Sequence, residues 1–235
     1  MSIKRFVNLD MLSRAAADQL AMLANASRGT VHVALSGGST PKRLFQVLAE
    51  RGRKFLPWER VELWWGDERC VPPDHPDSNY GMTRATLIDP LGLDPAKIHR
   101  IEGERDPDLA AQDYEHALVA ALGSPPVFDL VLLGMGPDGH TASLFPGSPG
   151  LTEAQRFVIA NHVDSPLTKG PATRITVTFP VLNAAKHVRF LVAGADKAET
   201  LAAVFEGPKG VLPSQLVSSP DLAWFVDDAA AGKLS

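Results

Sequence analysis

Asp138-Gly139-His140 sets an acid and an imidazole on either side of a glycine, directly after the apolar run Asp129-Leu130-Val131-Leu132-Leu133. Histidine is the side chain best suited to take and return a proton near neutrality, and a neighbouring carboxylate can orient its ring. A lone histidine is more often structural than catalytic. This one shares its turn with two glycines and an acid, which makes His140 the candidate general base and Asp138 a candidate partner. The other histidines, at 32, 75, 99, 116, 162 and 187, show neither HExxH nor close paired spacing, so no catalytic metal is expected.

A second polar group, Asp67-Glu68-Arg69, follows the apolar run Val61-Glu62-Leu63-Trp64-Trp65. Side chains alternate on extended backbone, so Asp67 and Arg69 are expected to face one site and Glu68 to face elsewhere. An arginine there suits a developing oxyanion; a carboxylate suits the orientation of a base or the binding of sugar hydroxyls. The competing reading is a surface salt-bridge cluster. Ser78-Asn79 opens the next helix. Cys70, the single cysteine, has no partner histidine fixed by sequence and reads as a small buried residue rather than a nucleophile.

The third group, Ser36-Gly37-Gly38-Ser39-Thr40-Pro41-Lys42, joins a strand to a helix. Glycines allow a tight turn and close approach of a ligand, and free amides at a helix start favour phosphate. Ser39 or Thr40 is expected to cap the helix, with Pro41 in its first turn. A capped turn with no ligand uses the same residue types, and the spacing is not that of a Walker A loop. Arg174 and Lys197 are the candidate cations to complete the cradle, with Arg suited to bidentate contact and Lys to a point charge.

Gly134-Met135-Gly136-Pro137-Asp138-Gly139 matches G-x-G-x-x-G, yet too few residues follow before Pro146-Gly147 for a dinucleotide crossover helix. A nicotinamide cofactor is therefore not expected.

These groups need elements to hold them. Apolar residues at 9, 12, 16, 20 and 23 predict a helix over about 9–28, with Gly29 as its C-cap. Strands are expected at 31–35, 61–65, 129–133, 156–163, 174–179, 187–193 and near 224–226, the 129–133 strand lying centrally. Helices are expected at 42–50, 79–87, 108–122 and 197–205. The alternation predicts an α/β fold with a mostly parallel, Rossmann-like sheet and helices on both faces, as one domain over 1–235. Ligands bind such sheets at strand C-termini, where all three polar groups fall.

The chain of 235 residues carries a formal net charge of −4, which argues against a dedicated nucleic-acid binder. An anionic substrate would need a local cationic pocket. One cysteine excludes an internal disulfide, and no apolar run approaches membrane-spanning length, so the expectation is a cytoplasmic protein without membrane or nucleic-acid partners.

Taken in order, Leu35 to Pro41, Trp65 to Arg69, Ser78-Asn79-Tyr80, Gly134 to Pro146, Arg174 to Thr178, Gly194-Ala195-Asp196-Lys197 and the closing Trp224-Phe225-Val226-Asp227 resemble the 6-phosphogluconolactonase family. The resemblance covers nearly the whole chain; the segment from Ser165 to Thr173 is less similar. It implies a fold shared with glucosamine-6-phosphate deaminases and a cofactor-free, metal-free hydrolysis of a small phosphorylated sugar lactone in the oxidative pentose phosphate pathway, by a monomer or weak homodimer. It also implies that His140 activates water, Arg69 steadies charge, and Asp67 and Asp138 are orienting acids. Gly37, Gly38, Ser39, Thr40, Asn79, Arg174 and Lys197 would then hold the substrate and its phosphate. Which aspartate is nearer His140 stays open. A deaminase of the same fold is the nearest rival, but its pattern continues to Phe-Asn-Glu-Pro, whereas Ser143-Leu144-Phe145-Pro146 here has no glutamate. A sugar-phosphate sensor without turnover is the rival from another class.

Overall fold

A computed structural model describes residues 2–168 and 170–234, without side-chain detail for 170 and 171. The chain runs β1 (Ser2–Phe6), α1 (Leu9–Ala26), β2 (Val31–Leu35), α2 (Ser39–Arg51), β3 (Val61–Trp65), β4 (Asp67–Arg69), α3 (Asn79–Thr83), α4 (Asp89–Leu91), β5 (Ile98–His99) and α5 (Pro107–Leu122). It continues through β6 (Leu130–Leu133), β7 (Val158–Ser165), β8 (Gly170–Val177), α6 (Phe179–Ala184), β9 (His187–Val192), α7 (Ala198–Glu206) and β10 (Asp221–Asp227).

Seven strands form one parallel sheet in the order β1-β10-β9-β6-β2-β3-β5. The all-apolar β6 has all four residues buried and lies fourth, as a strand with no polar face must. The core is aromatic at its ends: Phe190 stacks on Trp224 with centroids 3.8 Å apart, and Trp64 and Trp65 are buried at the end of β3. The Tyr114 hydroxyl on α5 donates to the Trp65 carbonyl at 3.0 Å and accepts its N–H at 2.8 Å, tying a covering helix to that strand end. Among the described residues no helix is long and apolar enough to cross a membrane.

Several expectations are corrected. The helix from Leu9 stops at Ala26 and is closed by Ser27, whose N–H returns to the Leu23 carbonyl; Gly29 lies beyond the cap. α2 begins at Ser39 rather than 42, with Gly38 as N-cap at φ 107° and no side-chain capping bond, so neither Ser39 nor Thr40 caps it. The helix expected over 79–87 is α3, a π-helical stretch over Arg84–Ile88, and α4, closed by Gly92 in the left-handed region at φ 56°. The strands expected near 156–163 and 174–179 do not join the parallel sheet. β7 and β8 form a hairpin that pairs antiparallel with β4 in a separate sheet, β4-β8-β7. Apolar periodicity reports that a segment is a strand and says nothing about its partner, whereas a short connection favours antiparallel pairing.

Gly66 joins the two sheets. Its N–H donates to the Leu35 carbonyl at the end of β2, and its carbonyl accepts from Val177 of β8 at 2.9 Å. The chain thereby leaves the parallel sheet at Trp65 and enters the small sheet at Asp67.

Candidate active site

The C-terminal ends of β2, β3, β6 and β9 open onto a cleft of about 270 Å³. Its walls are the 36–41 turn, Asp67 and Arg69 of β4, Asn79, the 134–137 turn with His140, and 191–193 with Lys197. The three polar groups singled out in the sequence converge here, joined by a fourth segment at the end of β9.

His140 sits in a turn that its own backbone closes: the Gly136 N–H donates to the His140 carbonyl at 2.9 Å. The ring Nδ1 lies 2.6 Å from Asp138 Oδ1, which also accepts the His140 backbone N–H at 3.1 Å. Burial works against ionisation of Asp138, but the hydrogen bond and charge of His140 outweigh it, holding the carboxyl below its ordinary range. An ionised carboxylate only accepts, so Nδ1 carries the hydrogen and the neutral ring keeps its lone pair on Nε2. Phe145 stacks on the ring at 4.1 Å between centroids, fixing its plane. Gly136 is required by this pair: a Cβ there would lie 2.1 Å from His140 Nδ1 and 2.7 Å from Asp138 Oδ1. Of the two candidate aspartates, Asp138 is therefore the one that touches His140.

Asp67 has other partners. Its Oδ2 accepts from the buried Ser143 hydroxyl at 2.6 Å, and Asn79 Nδ2 donates to its carbonyl at 2.9 Å. Asn79 in turn packs on Gly37, where a Cβ would lie 1.8 Å from Asn79 Oδ1. A brace thus runs from the 36–38 turn through Asn79 and Asp67 to Ser143 in the histidine turn. Replacing Gly37 by alanine is expected to push Asn79 out of this brace and destabilise the fold by about 1–3 kcal/mol. Thermal unfolding reads this directly; an unchanged midpoint would show the contact to be slack.

Glu68, expected to face away from the cleft, does so and has a role the sequence reading missed. Only 2% exposed, it accepts the N–H groups of Arg69 at 2.7 Å, Asn79 at 2.8 Å and Tyr80 at 2.8 Å, and the Ser78 hydroxyl at 3.2 Å. Burial raises its pKa despite these donors. It fixes the start of α3 and hence Asn79. An acid ten residues before a Ser-Asn helix start was the available signal, but it fits a solvated face equally well.

Arg69 lines the cleft and donates to the Asp77 carbonyl at 2.5 Å. Arg174 does not line it. Instead β8 brings Arg174 opposite Arg69 in the antiparallel register, where burial and then the charge of Arg69 push the Arg174 guanidinium below its ordinary value. The expected grouping of Arg174 with Lys197 is not what the small sheet produces. Lys197 lines the cleft by itself, with its Nζ 2.9 Å from Asp196 Oδ2. The Cys70 thiol is half-buried and pushed up to about 11 by that burial, a poor nucleophile.

At the 36–41 wall, α2 presents its first turn uncapped to the cleft, and Gly37, Gly38, Ser39 and Thr40 all line it. An uncapped helix start offers free N–H groups and the positive end of the helix dipole. The cleft therefore has an oriented imidazole, an arginine, and an anion-receptive wall completed by a lysine.

Residues 8–224 match the family model described as glucosamine-6-phosphate isomerases/6-phosphogluconolactonase. A 6-phosphogluconolactonase of Synechocystis is 42% identical over 217 residues, covering 89% of this chain and 87% of that protein. The solved 6-phosphogluconolactonase of Trypanosoma cruzi superposes with a TM-score of 0.87 at 29% identity, covering 100% of this chain and 97% of the other. A monomeric glucosamine-6-phosphate deaminase superposes with a TM-score of 0.85 at 22% identity over 99% of this chain and 100% of its own, a likeness of fold.

Proposed function

The chain belongs to the glucosamine-6-phosphate isomerase/6-phosphogluconolactonase family, and on that premise we propose that it hydrolyses 6-phosphogluconolactone to 6-phosphogluconate, the lactone-opening step of the oxidative pentose phosphate pathway. The observation that carries this reading is the 2.6 Å contact between His140 Nδ1 and Asp138, in a cleft whose opposite requirement, an anion site, is met by the start of α2. A base and a phosphate anchor in one cleft are what a phosphorylated lactone needs.

A δ-lactone is an activated ester, so a positioned base and local charge stabilisation suffice, with every step carried by side chains. His140 Nε2 takes a proton from water as the water oxygen adds to the lactone carbonyl carbon. Asp138 faces the imidazolium that results. The carbonyl oxygen becomes an oxyanion beside Arg69, whose field Arg174 reinforces from the facing strand. Collapse breaks the bond between that carbon and the ring oxygen, and the imidazolium returns its proton to the departing hydroxyl. The phosphate lies against Gly37, Gly38, Ser39 and Thr40 with Lys197 at its side. Asp67, held by Ser143, and Asn79 face the sugar hydroxyls between the two ends.

The test generates the lactone in place, subtracts spontaneous hydrolysis and follows 6-phosphogluconate. Folded protein is expected to accelerate its appearance in proportion to enzyme concentration. Absence of acceleration, or release of ammonia from glucosamine-6-phosphate, would overturn the reading.

A further inference from the structure

We propose that Asp227, which does not touch the cleft, is a positioning residue for its phosphate end, acting through the turn that carries Lys197. The proposal rests on the reading of Lys197 as a phosphate contact.

Asp227 ends β10 and is 6% exposed, with no basic side chain paired to it among the described residues. A buried carboxylate is costly unless hydrogen-bonded, so its partners indicate what it holds. They are backbone N–H groups: Gly194 donates to Oδ1 at 3.0 Å and to Oδ2 at 3.2 Å, and Ala230 donates to Oδ1 at 2.7 Å. The register explains the reach, because Val226 lies opposite Val192 in the β10–β9 ladder and the next residues diverge from there. Gly194 stands at φ 101°, a conformation that glycine adopts without strain, and its carbonyl accepts the Lys197 N–H at 3.1 Å. Clamping Gly194 therefore fixes the first turn of the segment from which Lys197 reaches the cleft. The preceding Val192 and Ala193 are themselves cleft walls, so the clamp acts on backbone adjoining the ligand.

Were Asp227 there only to close the C-terminal turn, the bond to Ala230 would serve and Gly194 would be incidental. The two roles separate in a small set of variants, each checked for folding by thermal melt and read twice, by KM and kcat with 6-phosphogluconolactone and by the Kd of 6-phosphogluconate. Asp227→Ala removes the clamp and is expected to raise KM and Kd about tenfold while kcat stays within about threefold, since a displaced anchor weakens binding more than chemistry. Asp227→Asn keeps Oδ1, which takes both N–H groups, and is expected to remain within about twofold of wild type on either readout. Should Asp227→Ala fail to fold, Asp227→Ser, whose hydroxyl can take a single N–H, carries the same comparison.

The decisive step is the double variant. If Asp227 works through Lys197, adding Asp227→Ala to Lys197→Met is expected to weaken binding less than twofold further, as coupled positions do not add. A full additional tenfold, or Asp227→Ala alone leaving Kd unchanged while Lys197→Met weakens it, overturns the proposal and leaves the phosphate assignment of Lys197 standing. Lys197→Met leaving Kd unchanged overturns that assignment and the proposal with it. The Kd readout holds whether or not the lactone is turned over.

Discussion

Replacing His140 by glutamine is expected to lower kcat for 6-phosphogluconolactone by about 10²–10⁴-fold, the usual contribution of a positioned general base. Glutamine approximates the reach of the ring, but its amide oxygen does not take a proton from water at neutral pH. The 36–41 turn and Lys197, the proposed phosphate wall, line the cleft and are untouched, so KM should move little. A loss confined to kcat is the mark of an interaction made in the transition state. Steady-state kinetics with product trapping measures both parameters. Turnover within a few-fold of wild type would remove His140 from the role of base.

Asp138→Asn is expected to cost about 10²-fold or more in kcat, although it exchanges a single heavy atom and changes little volume. The Asp138 carboxylate, held ionised by its hydrogen bond to His140 against the effect of burial, does two things for the ring. It forces the hydrogen onto Nδ1, which leaves the Nε2 lone pair free, and in the proposed mechanism it faces the imidazolium formed when the proton is taken. An amide has no charge for the second task, and in one of its two orientations it presents a donor to Nδ1 and reverses the tautomer, as for the acid of a serine-protease triad. Because the pair works as a unit, the Asp138→Asn/His140→Gln double variant should be about as slow as His140→Gln alone. A double variant slower by the product of the two factors would show that Asp138 acts elsewhere.

Most residues that form this cleft were legible because they sit at or just past the end of a parallel strand, where glycine and short polar side chains break the apolar pattern. β2, β3, β6 and β9 were readable for the same reason: a parallel strand buried on both sides is nearly all apolar. β1 was missed because Ser2 to Arg5 are exposed, so no apolar pattern marks this edge strand. β4 was read only as a polar cluster, since the short Asp67–Arg69 segment earns its strand geometry from β8, far away in sequence. That pairing is also why Arg174 was placed with Lys197: residue type shows that a cation is present, while its neighbours depend on which strand it pairs with. The choice between Asp67 and Asp138 was equally closed to sequence. It turns on the left-handed glycine at 139 and the Gly136 N–H, which fold the turn so that Asp138 meets Nδ1.

The brace from Gly37 through Asn79 and Asp67 to Ser143 divides the cleft lining into residues that are locked and residues that are free to vary. A change at Asp67 or Asn79 reaches two neighbouring segments, so its effects on stability and on substrate binding arrive together and do not add with those of its partners. Met135, Ala142, Leu167 and Leu191 also face the cleft but make no side-chain hydrogen bond to the brace. Divergence in preference among sugar lactones therefore has an inexpensive route, through the apolar walls, and an obstructed one, through the polar braces. A lineage can explore the first by single steps, while the second requires coordinated replacement in several segments at once.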